Sequence, residues 1–140
     1  MLTNELKEKM YQAAVEGFNK AYAPYSNFKV GASVLLKDGT IINGCNVENA
    51  SYGLTNCAER TTLFKTYSFG YRKEDIVCLM VIGATREPIS PCGACRQVMA
   101  ELMNFNSVVI LTNLDKKMKE MSVGELLPYS FSEGNLNEWI

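Results

Sequence analysis

The segment Ile76-Val77-Cys78-Leu79-Met80-Val81-Ile82-Gly83 limits the possible folds more than any other. Its odd and even positions are both apolar, so a strand there must be covered on both faces. The unbroken apolar run is far below the ~20 residues a helix needs to cross a bilayer. Such a strand needs helices above and below it, and the rest of the chain supplies them. Residues 3–22 read as an amphipathic helix, with Thr3 as N-cap and Leu6, Met10, Ala13, Ala14, Gly17, Phe18 and Ala21 at helical spacing. Pro24 is expected to stop it. Residues 29–36 alternate, with Val30, Ala32, Val34 and Leu36 on one face. Asp38-Gly39 then marks a hairpin into Thr40-Ile41-Ile42. A loop over 46–56 leads to a helix over 57–67. Ser90-Pro91 opens another helix, with a favoured N-cap followed by proline at the first position. Ser107–Leu111 and Met118–Met121 read as strands. The six residues between them are too few for a parallel crossover, so this pair is antiparallel. Ser122-Val123-Gly124-Glu125 has the form of a capping box and opens a last short helix before Pro128. The order α-β-β-α-β-α-β-β-α predicts an α/β fold: three layers, αβα, around a mixed five-stranded sheet. No repeat or linker interrupts it, and one domain over 1–140 is expected.

Cysteine and histidine usage bounds the chemistry. The chain has five cysteines and no histidine. Residues 1–25 mix Lys with Glu and show no signal-peptide core, so a cytoplasmic, disulfide-free protein is expected. Metal or redox chemistry is then the favoured use of the thiols. Without an imidazole, Ser-His-Asp and Cys-His mechanisms are excluded, and any metal must be held by Cys, Asp or Glu. Lys and Arg number 14 against 15 Asp and Glu. That balance excludes affinity built on neutralising phosphates, so no nucleic-acid partner is expected, and no membrane partner either.

Two segments concentrate the reactive groups: Asn56-Cys57-Ala58-Glu59-Arg60 and Ser90-Pro91-Cys92-Gly93-Ala94-Cys95-Arg96-Gln97. Both fall at expected helix N-termini, where free N–H groups and the helix dipole favour thiolate. Facing each other, they would offer Cys57, Cys92 and Cys95 to one zinc ion. Three protein ligands leave a fourth position open for water, as in catalytic sites. Glu59 would stand beside that position as a general acid/base without being a ligand. Arg60 would draw negative charge off the thiolates. Plainer readings compete: Cys92 and Cys95 as a thiol redox pair, Asn56-x-x-Glu59 as a capping box, and Cys45 as a fourth, structural ligand. Cys78 belongs to the central strand and reads as a buried small hydrophobe.

The sequence resembles the small homotetrameric class of cytidine deaminase from about Tyr22 to Phe131. The match rests on Tyr25-Ser26-Asn27-Phe28-Lys29-Val30-Gly31-Ala32, Asn46-Val47-Glu48-Asn49-Ala50-Ser51-Tyr52, the two cysteine segments, and Leu126-Leu127-Pro128 with Phe131. It departs at Ser33, Gly124 and Tyr129-Ser130. The resemblance implies zinc on Cys57, Cys92 and Cys95, one ion per chain, with Glu59 moving protons in the hydrolytic deamination of cytidine and 2′-deoxycytidine. It further implies that Asn46 and Glu48 bind the ribose hydroxyls, that Phe28 lines the pocket and Phe131 stacks on the pyrimidine, and that the Ala58 backbone reads the base edge. A homotetramer with shared sites follows from it, Tyr52 reaching a neighbour's. Glu48 in the sugar pocket would repel a phosphate, which favours a free nucleoside. The alternatives are a deaminase of a cytosine-containing antibiotic, a zinc-stabilised binding module, and a redox protein.

Overall fold

Thr3 caps the first helix, its Oγ1 accepting the Leu6 N–H at 3.1 Å, and the computed structural model describes residues 2–137. The unit expected over 1–140 reaches past these at both ends. Helix α1 spans Asn4–Asn19, three residues short of the expected end. Lys20 and Ala21 close it with short bonds to Gly17 O and Phe18 O. Tyr22 is already committed elsewhere: its N–H donates to Asn46 O at 3.0 Å, and it bridges Val47. Recruitment of the Tyr22 backbone, together with the bias of Pro24 against a helical Ala23, ends the helix early.

Strands β1 (Val30–Leu36) and β2 (Ile41–Cys45) form the expected hairpin, with Gly39 at φ +89° supplying the left-handed turn residue. β1 is buried along its whole length, not on one face alone. On its second face α1 lies directly against it. A Cβ on Gly31 would overlap the backbone of Ala14 and Phe18, and Ser33 Oγ donates to the Met10 carbonyl at 2.8 Å.

Helix α2 covers Ala58–Ser68, followed by β3 (Ile76–Gly83), α3 (Gly93–Leu102), β4 (Val108–Asn113) and β5 (Met118–Ser122). The sheet order is β2-β1-β3-β4-β5, which puts β3 at the centre. β3 runs antiparallel to β1 and parallel to β4, and β4 pairs antiparallel with β5, so the sheet is mixed as expected. Leu79, Val81, Val109 and Leu111 pack with Leu63, Cys95 and Met99 of α2 and α3. On the opposite face Met80, Ile82 and Ile110 pack with Met10, Tyr11 and Ala14 of α1. The double covering read from residues 76–83 is thus met by one helix on one side and two on the other.

Two other readings need correction. Helix α3 begins at Gly93 with Cys92 as its N-cap, so Ser90 and Pro91 lie in extended chain before it. The Cys92 sulfur accepts the Cys95 N–H at 3.4 Å and does the capping that Ser90 was expected to do. At the other end, α4 (Val123–Leu126) has its capping box, but a further short helix, α5 (Glu133–Asn137), follows it. Asn135 Oδ1 anchors α5 by accepting the Ser132 N–H at 2.8 Å.

Candidate metal centre

Cysteines cap both helices that meet above the central strands: Cys57 is the N-cap of α2 and Cys92 that of α3. Cys95 sits in the first turn of α3, fully buried. The three sulfurs lie within 4.8 Å of one another, and Cys57 Sγ is 3.8 Å from Cys92 Sγ. Two thiolates bound tetrahedrally at about 2.3 Å each would stand ~3.8 Å apart, so the donor set fits a zinc ion. Asn56 is not the cap, and its side chain donates to Thr61 Oγ1 at 3.2 Å; the Asn56–Glu59 capping box does not form. Cys45 takes no part either, its sulfur turned toward Lys20 O at 3.6 Å. Cys78 is buried, and burial raises its thiol to about 12.

The electrostatics suit a divalent cation. A hydrogen bond from Cys95 and another from Arg60 lower the Cys57 thiol to about 5. The same pairing with Cys57, with burial, drives Cys95 strongly upward, so its thiol favours the protonated form. A cation displaces such a proton. Arg60 Nη2 donates to Cys57 Sγ at 3.3 Å, where a guanidinium offsets thiolate charge. Glu59 is 4% exposed, beside Cys57 and Cys95. Burial raises its carboxyl to about 7, and the Cys57 thiolate adds to the rise. A carboxyl poised there can both take and give a proton near neutral pH.

The expected substrate residues form a second group. Tyr22–Val47 and Val47–Asn56 bridges lay the 46–48 segment beside the residue preceding Cys57. Glu48 accepts the Tyr25 and Ser26 N–H groups at 2.9 and 3.1 Å and the Ser26 hydroxyl, which hold it ionised below the ordinary carboxyl range. Glu48 and Tyr52 line a cavity of about 400 Å³ with Tyr25, Ser26 and Thr55. Tyr52 is 76% exposed and meets Tyr25 edge to face at 6.2 Å. Asn46 is buried, and its amide spans Phe28 O and Val30 N–H, at 2.8 and 2.9 Å, fixing the turn before β1. Phe28 and Phe131 are both exposed, so neither is a core residue. Ala58, fully buried, is the first residue of α2. Sequence reasoning gave no role to Ser26, whose hydroxyl braces Glu48, nor to Arg96 and Gln97. Their only signal was a place inside the motifs.

With this geometry in view, the comparisons decide the family. The model of the cytidine and deoxycytidylate deaminase zinc-binding region matches residues 4–112. The chain belongs to the cytidine and deoxycytidylate deaminase family. A cytidine deaminase of Halalkalibacterium halodurans is 51% identical over 132 residues, covering 94% of this chain and 98% of that protein. The crystal structure of cytidine deaminase from Burkholderia pseudomallei superposes with a TM-score of 0.86 at 52% identity, over 89% of this chain and 98% of that one. That from Mycobacterium tuberculosis gives 0.75 at 35% identity, over 89% and 96%. As a member of this deaminase family the chain takes one zinc ion. Among the described residues no helix is long and apolar enough to cross a membrane.

Proposed function

We propose that the chain catalyses hydrolytic deamination of cytidine and 2′-deoxycytidine to uridine and 2′-deoxyuridine, releasing ammonia. The observation that carries the reading is the triangle of Cys57, Cys92 and Cys95 sulfurs at tetrahedral spacing, with the buried carboxyl of Glu59 against it. Those three cysteines would hold the ion, which supplies Lewis-acid activation of water. Glu59 takes one proton from the attacking water and delivers it to N3, then passes the second, from the C4 hydroxyl, to the departing amine, acting as the general acid/base of zinc deaminases. Water adds to C4 and the C4–N bond breaks, so one water is consumed and one ammonia leaves. Arg60 moderates thiolate charge so that water stays acidic.

Asn46 and Glu48 would take the ribose hydroxyls, Phe28 and Phe131 the base, and the Ala58 backbone its edge. An ionised Glu48 repels a 5′-phosphate, which selects free nucleosides. We place the enzyme in cytoplasmic pyrimidine salvage, a setting that its five free thiols suit. A single domain over 1–140 would assemble as a homotetramer, Tyr52 completing a neighbour's site. The exposed ring of Tyr52 supports this.

Loss of cytidine's ultraviolet absorbance on incubation with pure protein, with about one zinc per chain by elemental analysis, is the expected result. A zinc-loaded protein inert toward cytidine and deoxycytidine would overturn the reading. Turnover of a cytosine-containing antibiotic alone would move it to a different substrate.

A further inference from the structure

We infer that Arg96 is a positioning residue that joins the cysteine turn to the segment carrying Phe131, so that one guanidinium sets both metal grip and substrate grip. Arg96 follows Cys95 on α3. Its Nε donates to Pro91 O at 2.9 Å and its Nη2 to Ser90 Oγ at 2.8 Å. Both acceptors lie in the extended stretch immediately before Cys92, which no strand ladder supports. Its Nη1 donates to Leu126 O, at the end of α4, at 2.9 Å. The planar guanidinium fork meets acceptors in fixed directions, which a lysine ammonium cannot reproduce. The next residue completes the clamp: Gln97 Nε2 donates to Phe131 O at 3.0 Å. Consecutive residues of α3 therefore hold both ends of the 126–131 segment. Between the two anchors Tyr129 stands fully exposed at φ +51°, a conformation that a non-glycine residue keeps only where its surroundings impose it. Releasing either anchor lets that strain relax and shifts the Phe131 ring. Releasing Arg96 also loosens the approach to Cys92.

The inference rests on Cys92 as a metal ligand and Phe131 as a substrate contact. Phe131→Ala tests the second point separately: a parental KM there refutes the substrate contact, while zinc release still decides the role of Arg96 at the metal. The main experiment compares zinc-loaded parent, Arg96→Lys and Gln97→Ala. The readouts are the rate of zinc release to an excess of a metallochromic chelator, and KM and kcat for cytidine. Arg96→Lys should release zinc about tenfold faster, in line with the loss of other ligand-orienting partners, and should raise KM several-fold with little change in kcat. Gln97→Ala should raise KM while releasing zinc at the parental rate. If Arg96→Lys lowers the melting temperature but leaves zinc release and KM unchanged, the residue is merely structural and the proposal is overturned. Gln97→Ala releasing zinc as fast as Arg96→Lys overturns it too.

Discussion

Glu59 is the residue at which burial and function meet. Its carboxyl is nearly inaccessible, yet no cation-bearing side chain pairs with it closely enough to outweigh desolvation, so its proton is held to about 7 from an ordinary value near 4.5. Glu59→Gln keeps the shape and leaves the three sulfurs untouched. The variant should retain zinc and lose ~10²–10⁴-fold in kcat; near-parental turnover would remove Glu59 from the mechanism. The raised value also has a sign in stability. Below about 4.5 the carboxyl is protonated folded and unfolded alike, and it contributes nothing. As pH rises toward 7 the unfolded chain ionises while the folded one resists, so this group costs stability, reaching on the order of 3 kcal/mol above 7. Cys57, lowered to about 5, works in the opposite direction from there to its unfolded value. The Glu59→Gln minus parent difference isolates the carboxyl. In chelator-treated protein, urea unfolding should show the variant gaining on the parent as pH rises from 4 to 8. A difference flat with pH would mean that the carboxyl is solvated.

At the scale of elements, the metal centre is two helix starts brought together. Cys57 and Cys92 stand where serine or aspartate is usual. The Cys92 sulfur accepts the Cys95 N–H of its first turn, while Cys57 makes no such cap bond and lies only at the positive end of the α2 dipole. Cys92→Ala removes a ligand and the cap of α3 at once, so the variant should purify without zinc and without activity. Cys45→Ala should keep both, and zinc loss there would make the site a closed structural one. The same element logic explains how tightly α1 sits. Gly31 is a site of direct backbone contact between α1 and β1, because even a methyl group would overlap Ala14 and Phe18. Gly31→Ala should therefore cost ~1–3 kcal/mol in denaturant unfolding, without changing zinc content. Unchanged stability would mean that the helix shifts freely on the sheet.

For the whole molecule, zinc is expected to act as a clasp between α2 and α3, which also meet through the core cluster that contains Leu63 and Met99 and through the Tyr67 hydroxyl, which donates to Leu102 O at 2.9 Å. A ligand bound only by the folded state stabilises it by about 4 kcal/mol at a thousandfold excess over Kd. Stripping the metal should lower the melting temperature, and re-adding zinc should restore it; an unmoved transition would place the ion elsewhere. The outer surface exposes Tyr52, Leu54, Phe28 and Phe131. If sites are shared in a tetramer, dilution until light scattering reports monomers should abolish turnover while each chain keeps its zinc. A fully active monomer would sink the sharing and leave the zinc chemistry in place.

Local patterns were enough to determine the doubly covered strand at 76–83, the Asp38-Gly39 hairpin, the antiparallel last pair and the Ser122–Glu125 capping box. Each depends on neighbours in sequence or on unbroken apolar character. The cysteine triad was legible too, since Cys-x-x-Cys and a distant cysteine at a helix start leave few other partners in a chain without histidine. Tertiary structure alone decided what depends on long-range competition for backbone groups. Asn46 O captured Tyr22 and cut α1 short. A sulfur displaced Ser90 as the cap of α3, because the turn is shaped by its meeting with Cys57. Arg96 found Leu126 thirty residues away, and Ser26 found Glu48. Such bonds leave no periodic mark, because the chain separation between partners is arbitrary and only folding makes them neighbours.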